Sequence, residues 1–132
     1  MRGASAIQDV LADMPTLPLR VFVVWEPVIV TDIAAPTSNR LSLVHDPRAI
    51  QYWDRGKALS KDIMRAVRAD PARYSVPKDI DEHSVVWDVV ALFPRGVTWD
   101  RDIPVPSYYA GPVVDAVARL RVTLDEATSP GK

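Results

Sequence analysis

Two stretches of this 132-residue chain, 20–30 and 84–93, are dense in β-branched and aromatic residues and do not alternate cleanly between apolar and polar. A strand with one wet face alternates, whereas a strand covered on both faces does not, so these two read as buried strands of a parallel sheet. Pro27 predicts the end of the first. A shorter candidate strand, 49–53, leads through the turn Asp54-Arg55-Gly56 into a helix over 57–69. There Leu59, Ile63, Ala66 and Val67 share one face, while Lys57, Lys61, Asp62, Arg65 and Arg68 cover the rest. Asp70-Pro71 closes that helix, and 70–83 reads as a long polar connection.

The remaining elements follow from helical spacing and proline placement. Ile7, Val10 and Leu11 predict a helix over 3–13, stopped by Pro15 and Pro18. A brief helix over 38–44 would take Ser38 as its N-cap. The strand at 84–93 turns at Pro94-Arg95-Gly96 and finds a hairpin partner in 97–99 or 107–110, with Pro104 and Pro106 confining any strand there to an edge. Gly111-Pro112 opens a last helix with Val113, Val117, Leu120 and Leu124 as its buried stripe. Alternation of this kind predicts an α/β domain with a largely parallel sheet, an edge hairpin and helices on both faces. Residues 1–126 form that single domain and 127–132 a flexible tail.

Composition narrows the function classes. A formal net charge of −1 gives no basic field for a phosphate backbone, so nucleic acid is not an expected partner. No apolar run approaches the roughly 20 residues that span a bilayer, and no signal-peptide core is present at the start; no membrane association and a cytoplasmic location are expected. The chain has no cysteine, which removes disulfides, thiolate metal sites and catalytic thiols from the sequence as given. No glycine-rich phosphate loop, dinucleotide fingerprint, nucleophile elbow or zinc-protease helix occurs, and no cofactor is expected. With only His45 and His83 available, a Ser-His-Asp triad would need tertiary contacts that no local motif announces.

Three acidic residues, Glu26, Asp54 and Asp88, each follow a tryptophan. Ligands of open α/β sheets bind beyond the carboxyl ends of the strands, so Trp25, Glu26 and Asp54 are candidate binding residues lining a cleft there. A carboxylate at such a place reaches water, pairs with a cation such as Arg20, or is held for acid–base work. Asp88 is expected inside its strand. Asp79, Asp81 and His83 would project from one face if 79–83 is extended, and oxygen and nitrogen donors at that spacing suit a divalent ion. The plainer reading of 79–83 is a solvated acidic loop facing the basic helix.

Three runs carry a family likeness: Leu19-Arg-Val-Phe-Val-Val-Trp-Glu-Pro-Val, then Asp46-Pro-Arg-Ala-Ile-Gln-Tyr-Trp-Asp-Arg-Gly-Lys-Ala-Leu-Ser, and Val85-Val-Trp-Asp-Val-Val-Ala-Leu-Phe-Pro-Arg-Gly-Val-Thr-Trp. Together they resemble bacterial proteins of the thioredoxin-like, redoxin-type superfamily, over residues 3 to about 124. The resemblance implies a three-layer sandwich in which a first strand and a Cys-x-x-Cys motif precede the helix matched here by 3–13. Two hallmarks of that family are absent: the cysteines, and a proline just before the strand at 84–93, where His83-Ser84 stands. No catalytic residue carries over.

The likeness also implies that the family's central strand is missing, which would leave two rows of backbone donors and acceptors unpaired. One expectation is an N-terminally shortened thiol or selenol redox protein, its reactive residue lying ahead of Met1. The alternative is a cysteine-free binding or assembly module using a cleft near Trp25 and Glu26. Its sheet would close by joining 20–28 directly to 84–93, or through a protein partner or homodimer.

Overall fold

A computed structural model describes residues 2–29, 33–74, 86–100 and 102–128. Their order is α1 (Arg2–Asp13), β1 (Val21–Trp25), α2 (Ser38–Leu41), β2 (Ala49–Trp53), α3 (Ala58–Ala69), α4 (Pro71–Tyr74), β3 (Val90–Leu92), β4 (Tyr108–Ala110) and α5 (Val113–Thr128). The fold is mixed α/β. β1 and β2 are parallel, in register from Val21 opposite Ala49 to Trp25 opposite Trp53. β3 and β4 are antiparallel, Val90 opposite Ala110 and Leu92 opposite Tyr108.

In place of the expected continuous sheet, the described residues form two sheets of two strands each. Among the described residues, 20–28 is not joined directly to 84–93, since β1 and β3 are not neighbours in either sheet. The second strand is also shorter than expected: Asp88 has a left-handed backbone (φ 50°) that takes the chain out of extended geometry just before Val90. The hairpin partner falls in 107–110, not in 97–99.

Helix boundaries differ in smaller ways. Thr37, not Ser38, is the N-cap of α2, without a side-chain cap bond. Lys57 stands just outside α3 in a left-handed conformation, so that helix begins at Ala58. Within the connection after Asp70, Pro71 opens the single turn of α4, a place where its missing N–H is no loss.

The core is built by the helices. Val10 of α1 packs with Leu120 and Leu124 of α5, and Ile7, Met14, Leu17, Leu19, Val90, Leu92, Tyr108 and Val117 close around them. Val113 and Ala116 of α5 and Met64 and Val67 of α3 are also buried, but no strand residue is. Phe22, Ile50 and Tyr52 stay 56%, 47% and 49% exposed. Strands of a parallel sheet reach burial only when neighbours and helices cover them, and among the described residues β1 and β2 have only each other as strand neighbours.

α1 ties the two sheets together. Its Gln8 side-chain carbonyl accepts the amides of His45 (2.9 Å) and Asp46 (3.1 Å), ahead of β2. The Arg48 guanidinium donates to the carbonyls of Leu11, in the last turn of α1, and of Met14 and Leu17 in the segment after it, at 2.7, 2.7 and 3.0 Å. Val10, on the same helix, belongs to the cluster that holds Val90 and Leu92 of β3.

Candidate functional site

The carboxyl ends of β1 and β2 meet the start of α3. The Asp54 amide donates to the Trp25 carbonyl at 2.9 Å, extending the parallel ladder one step beyond both strands. Asp54 then turns its carboxylate onto the first turn of α3, where Oδ2 accepts the Leu59 amide at 2.8 Å. Burial pushes this carboxyl up, but the amides of Leu59, Ala58 and Gly56 and a hydrogen bond with Glu26 outweigh it. Its pKa lies below the ordinary value. Asp54 thus supplies the cap that Lys57, without a side-chain cap bond, does not.

Glu26 reaches the same turn. Its Oε1 accepts the Ser60 amide at 3.1 Å and its Oε2 accepts the Ser60 hydroxyl. Ser60 is 2% exposed, and its Oγ in turn accepts the Val86 amide at 3.2 Å. Both carboxylates therefore converge on the first turn of α3, and Ser60 links Glu26 onward to the amide of Val86. Trp25 points elsewhere: its indole N–H donates to the Gln51 side-chain Oε1 at 2.9 Å, while Gln51 Nε2 donates to the carbonyls of Leu41 and Val44, both at 2.8 Å.

The three candidate binding residues are thus neighbours, as the strand-end argument expected, but their polar atoms are engaged internally. Glu26 and Asp54 occupy helix-start amides that an anionic ligand would otherwise use. The expected cation partner Arg20 makes no ion pair with Glu26 among the described residues. His45 precedes β2 and lies at the opposite end of the strand pair, its Nδ1 3.2 Å from the Ser42 carbonyl. The proposed metal ligands Asp79, Asp81 and His83 lie outside the described residues, and among the described residues no group of three or more such donors gathers.

A second feature adjoins this cluster. Trp87, Asp88, Val89, Tyr109, Gly111 and Pro112 line an open pocket of about 520 Å³. Its floor meets the start of α1: Gly3 is buried so closely that a Cβ there would stand 2.5 Å from Asp88 Oδ1 and 3.1 Å from Val113 Cβ. Gly111 is equally constrained, its missing Cβ falling 2.7 Å from the Asp88 carbonyl oxygen. Asp88 is therefore not a strand residue but the turning point of this loop, a conformation to which aspartate is more tolerant than most residues. Reading 84–93 as one strand hid the pocket; the signal available was the Gly111-Pro112 pair opposite a Trp-Asp pair.

No family model, curated protein or solved structure matches the chain. Among the described residues, no helix is long and apolar enough to cross a membrane.

Proposed function

We propose that this chain is the body of a thioredoxin-type redox domain whose reactive thiol or selenol, when supplied, stands at the start of α1 beside the 86–89 loop. The carrying observation is the close packing of Gly3, in the first turn of α1, against Asp88 and Val113, next to the Trp87–Tyr109 pocket. A thiol at a helix N-terminus has its pKa lowered by the amides and dipole of that helix. As thiolate it attacks a substrate disulfide, forms a mixed disulfide and expels the partner thiolate. The pocket would receive the apolar part of such a substrate.

The redoxin-like order of elements supports the same reading: a helix ahead of the first described strand, parallel β1 and β2, a hairpin, and a closing helix packed on the first. The cysteine-free sequence cannot perform this chemistry itself, so the proposal requires a chalcogen residue joined ahead of α1. A cysteine-free binding cleft at Trp25 and Glu26 has less support, because those side chains already spend their polar atoms on Gln51 and Ser60. The coding DNA upstream of Met1 tests the proposal. An in-frame strand ending in a cysteine, or in a selenocysteine codon, is expected; an upstream frame without either overturns the redox reading. The extended protein should then reduce a model disulfide and lose that activity when the chalcogen residue is changed to serine.

A further inference from the structure

The pocket beside Trp87 differs from the Glu26 cluster in what its carboxylate leaves unspent. Glu26 and Asp54 give their oxygens to helix-start amides. Asp88 is the one charged side chain among the described residues that line the pocket, and with the other described residues its carboxylate forms no ion pair. It is nonetheless held in place. Its backbone is left-handed (φ 50°), and Gly3 and Gly111 approach so closely that their absent Cβ atoms would stand 2.5 Å from Oδ1 and 2.7 Å from the Asp88 carbonyl oxygen. A charge fixed before its ligand arrives has less ordering to lose on binding.

Two aromatic rings share the same wall. Trp87 is 67% and Tyr109 40% exposed, and among the described residues neither ring lies against another, unlike the Phe22–Tyr52 and Phe93–Trp99 pairs. The face of such a ring is electron-rich and attracts a cation, tryptophan most strongly. Val89 and Pro112 complete the apolar lining, and the volume of about 520 Å³ falls within the roughly 300–1,000 Å³ of small-molecule sites. An anion would meet the Asp88 carboxylate and the ring faces with repulsion. A bare ammonium is strongly hydrated and brings three N–H donors, which an apolar wall leaves unsatisfied at a cost. A quaternary ammonium keeps the charge, has no N–H to satisfy, and offers methyl groups to the rings.

We infer that this pocket binds a small molecule carrying a quaternary ammonium group, its charge compensated by the Asp88 carboxylate and its methyl groups set against Trp87 and Tyr109. The inference goes beyond the redox reading, because the cysteine-free chain already carries every residue it uses.

The test uses the chain as it stands and three probes that differ only in their head group: choline, its neutral isostere 3,3-dimethylbutan-1-ol, and ethanolamine with a bare ammonium. Each is titrated while the Trp87 indole N–H and the amides of 87–89 and 109–111 are followed by nuclear magnetic resonance. Choline should shift these signals and bind about tenfold or more tightly than either of the others. Asp88→Asn removes the charge and keeps a residue type that tolerates the left-handed backbone; it should weaken choline binding about fivefold or more. Trp87→Leu, at an exposed position, should weaken it similarly while leaving an apolar wall. Should either variant fail to fold, the three probes on the unaltered chain decide alone. No response to choline, equal binding of the neutral isostere or of ethanolamine, or undiminished binding by a folded Asp88→Asn variant overturns the inference. An upstream sequence lacking cysteine and selenocysteine ends the redox reading but leaves choline binding expected, so the two can fail separately.

Discussion

The two ends of the β1–β2 pair are both held by carboxylates, but with opposite electrostatics. At the entry end, Asp46 and Arg48 form an ion pair at 2.7 Å, their side chains only 9% and 16% exposed. Arg48 further donates to three carbonyls, one in the last turn of α1 and two in the segment after it. Its planar fork suits that task, satisfying a carboxylate and helix-terminal oxygens at once. At the exit end, Glu26 and Asp54 are held by amides and the Ser60 hydroxyl, and among the described residues neither forms an ion pair. The entry end is charge-compensated scaffolding. The exit end sets two carboxylates against helix-start amides and a hydroxyl, beside the loop that lines the pocket.

The largest effect should come from cutting the entry end. Arg48→Met removes the guanidinium donors to the carbonyls of Leu11, Met14 and Leu17 and to the Asp46 carboxylate, which keeps only the backbone amide at position 48, and the expected loss is about 3 kcal/mol, read from urea unfolding. Ser60→Ala tests the exit end. It removes one donor to Glu26 and one acceptor from Val86 at a 2% exposed position, and should cost about 1–2 kcal/mol. It should also alter the fluorescence of Trp87, because the Val86 amide loses its anchor. Equal losses for the two variants would erase the distinction between the ends.

Acid separates them further. The Arg48 guanidinium, and then the Arg48 amide, hold the Asp46 carboxyl down to about 2. A carboxyl depressed in the folded state stabilises above its unfolded pKa, and that contribution is lost as pH falls through the folded value. Stability should therefore decline between about pH 4 and pH 2, with Asp54, also held below its ordinary value, adding a loss of the same sign. In Asp46→Asn the acid decline should be shallower, because only the exit end still titrates; an unchanged slope would mean that Asp46 does not drive it.

Much of this frame was legible in the sequence, and the failures have a common cause. The 49–53 strand, the helix stripe of Val113, Leu120 and Leu124, and the grouping of Glu26 with Asp54 follow from local pattern, because periodicity and strand ends are local properties. The unalternating runs at 20–30 and 84–93 promised strands buried on both faces, yet the folded strands are half exposed. Their composition suits a full sheet, and the neighbours needed to bury them are not among the described elements. The loop at 86–89 was hidden for a different reason. Val86-Trp87-Asp88-Val89 has the composition of a strand, and only the close approach of Gly3 and Gly111 to Asp88 forces it out of extended geometry. Such a constraint joins residues far apart in sequence and leaves no periodic trace.

The smallest expected effect concerns backbone strain, which again distinguishes the two ends. Lys57, between Asp54 and α3, adopts φ 55° and ψ 38° and makes no cap bond with its side chain. No residue of 44–49, at the entry end, has a positive φ. A left-handed residue with a Cβ costs about 1–2 kcal/mol relative to its ordinary conformation, while glycine there gives back part of that through the larger entropy of the unfolded chain. Lys57→Gly should therefore stabilise the protein by about 0.5–1 kcal/mol, with the acid decline unaltered because Asp54 keeps its amides. A loss of stability would show that the lysine side chain, not the left-handed turn, matters at this position, and that the exit end is held by more than Asp54, Glu26 and Ser60.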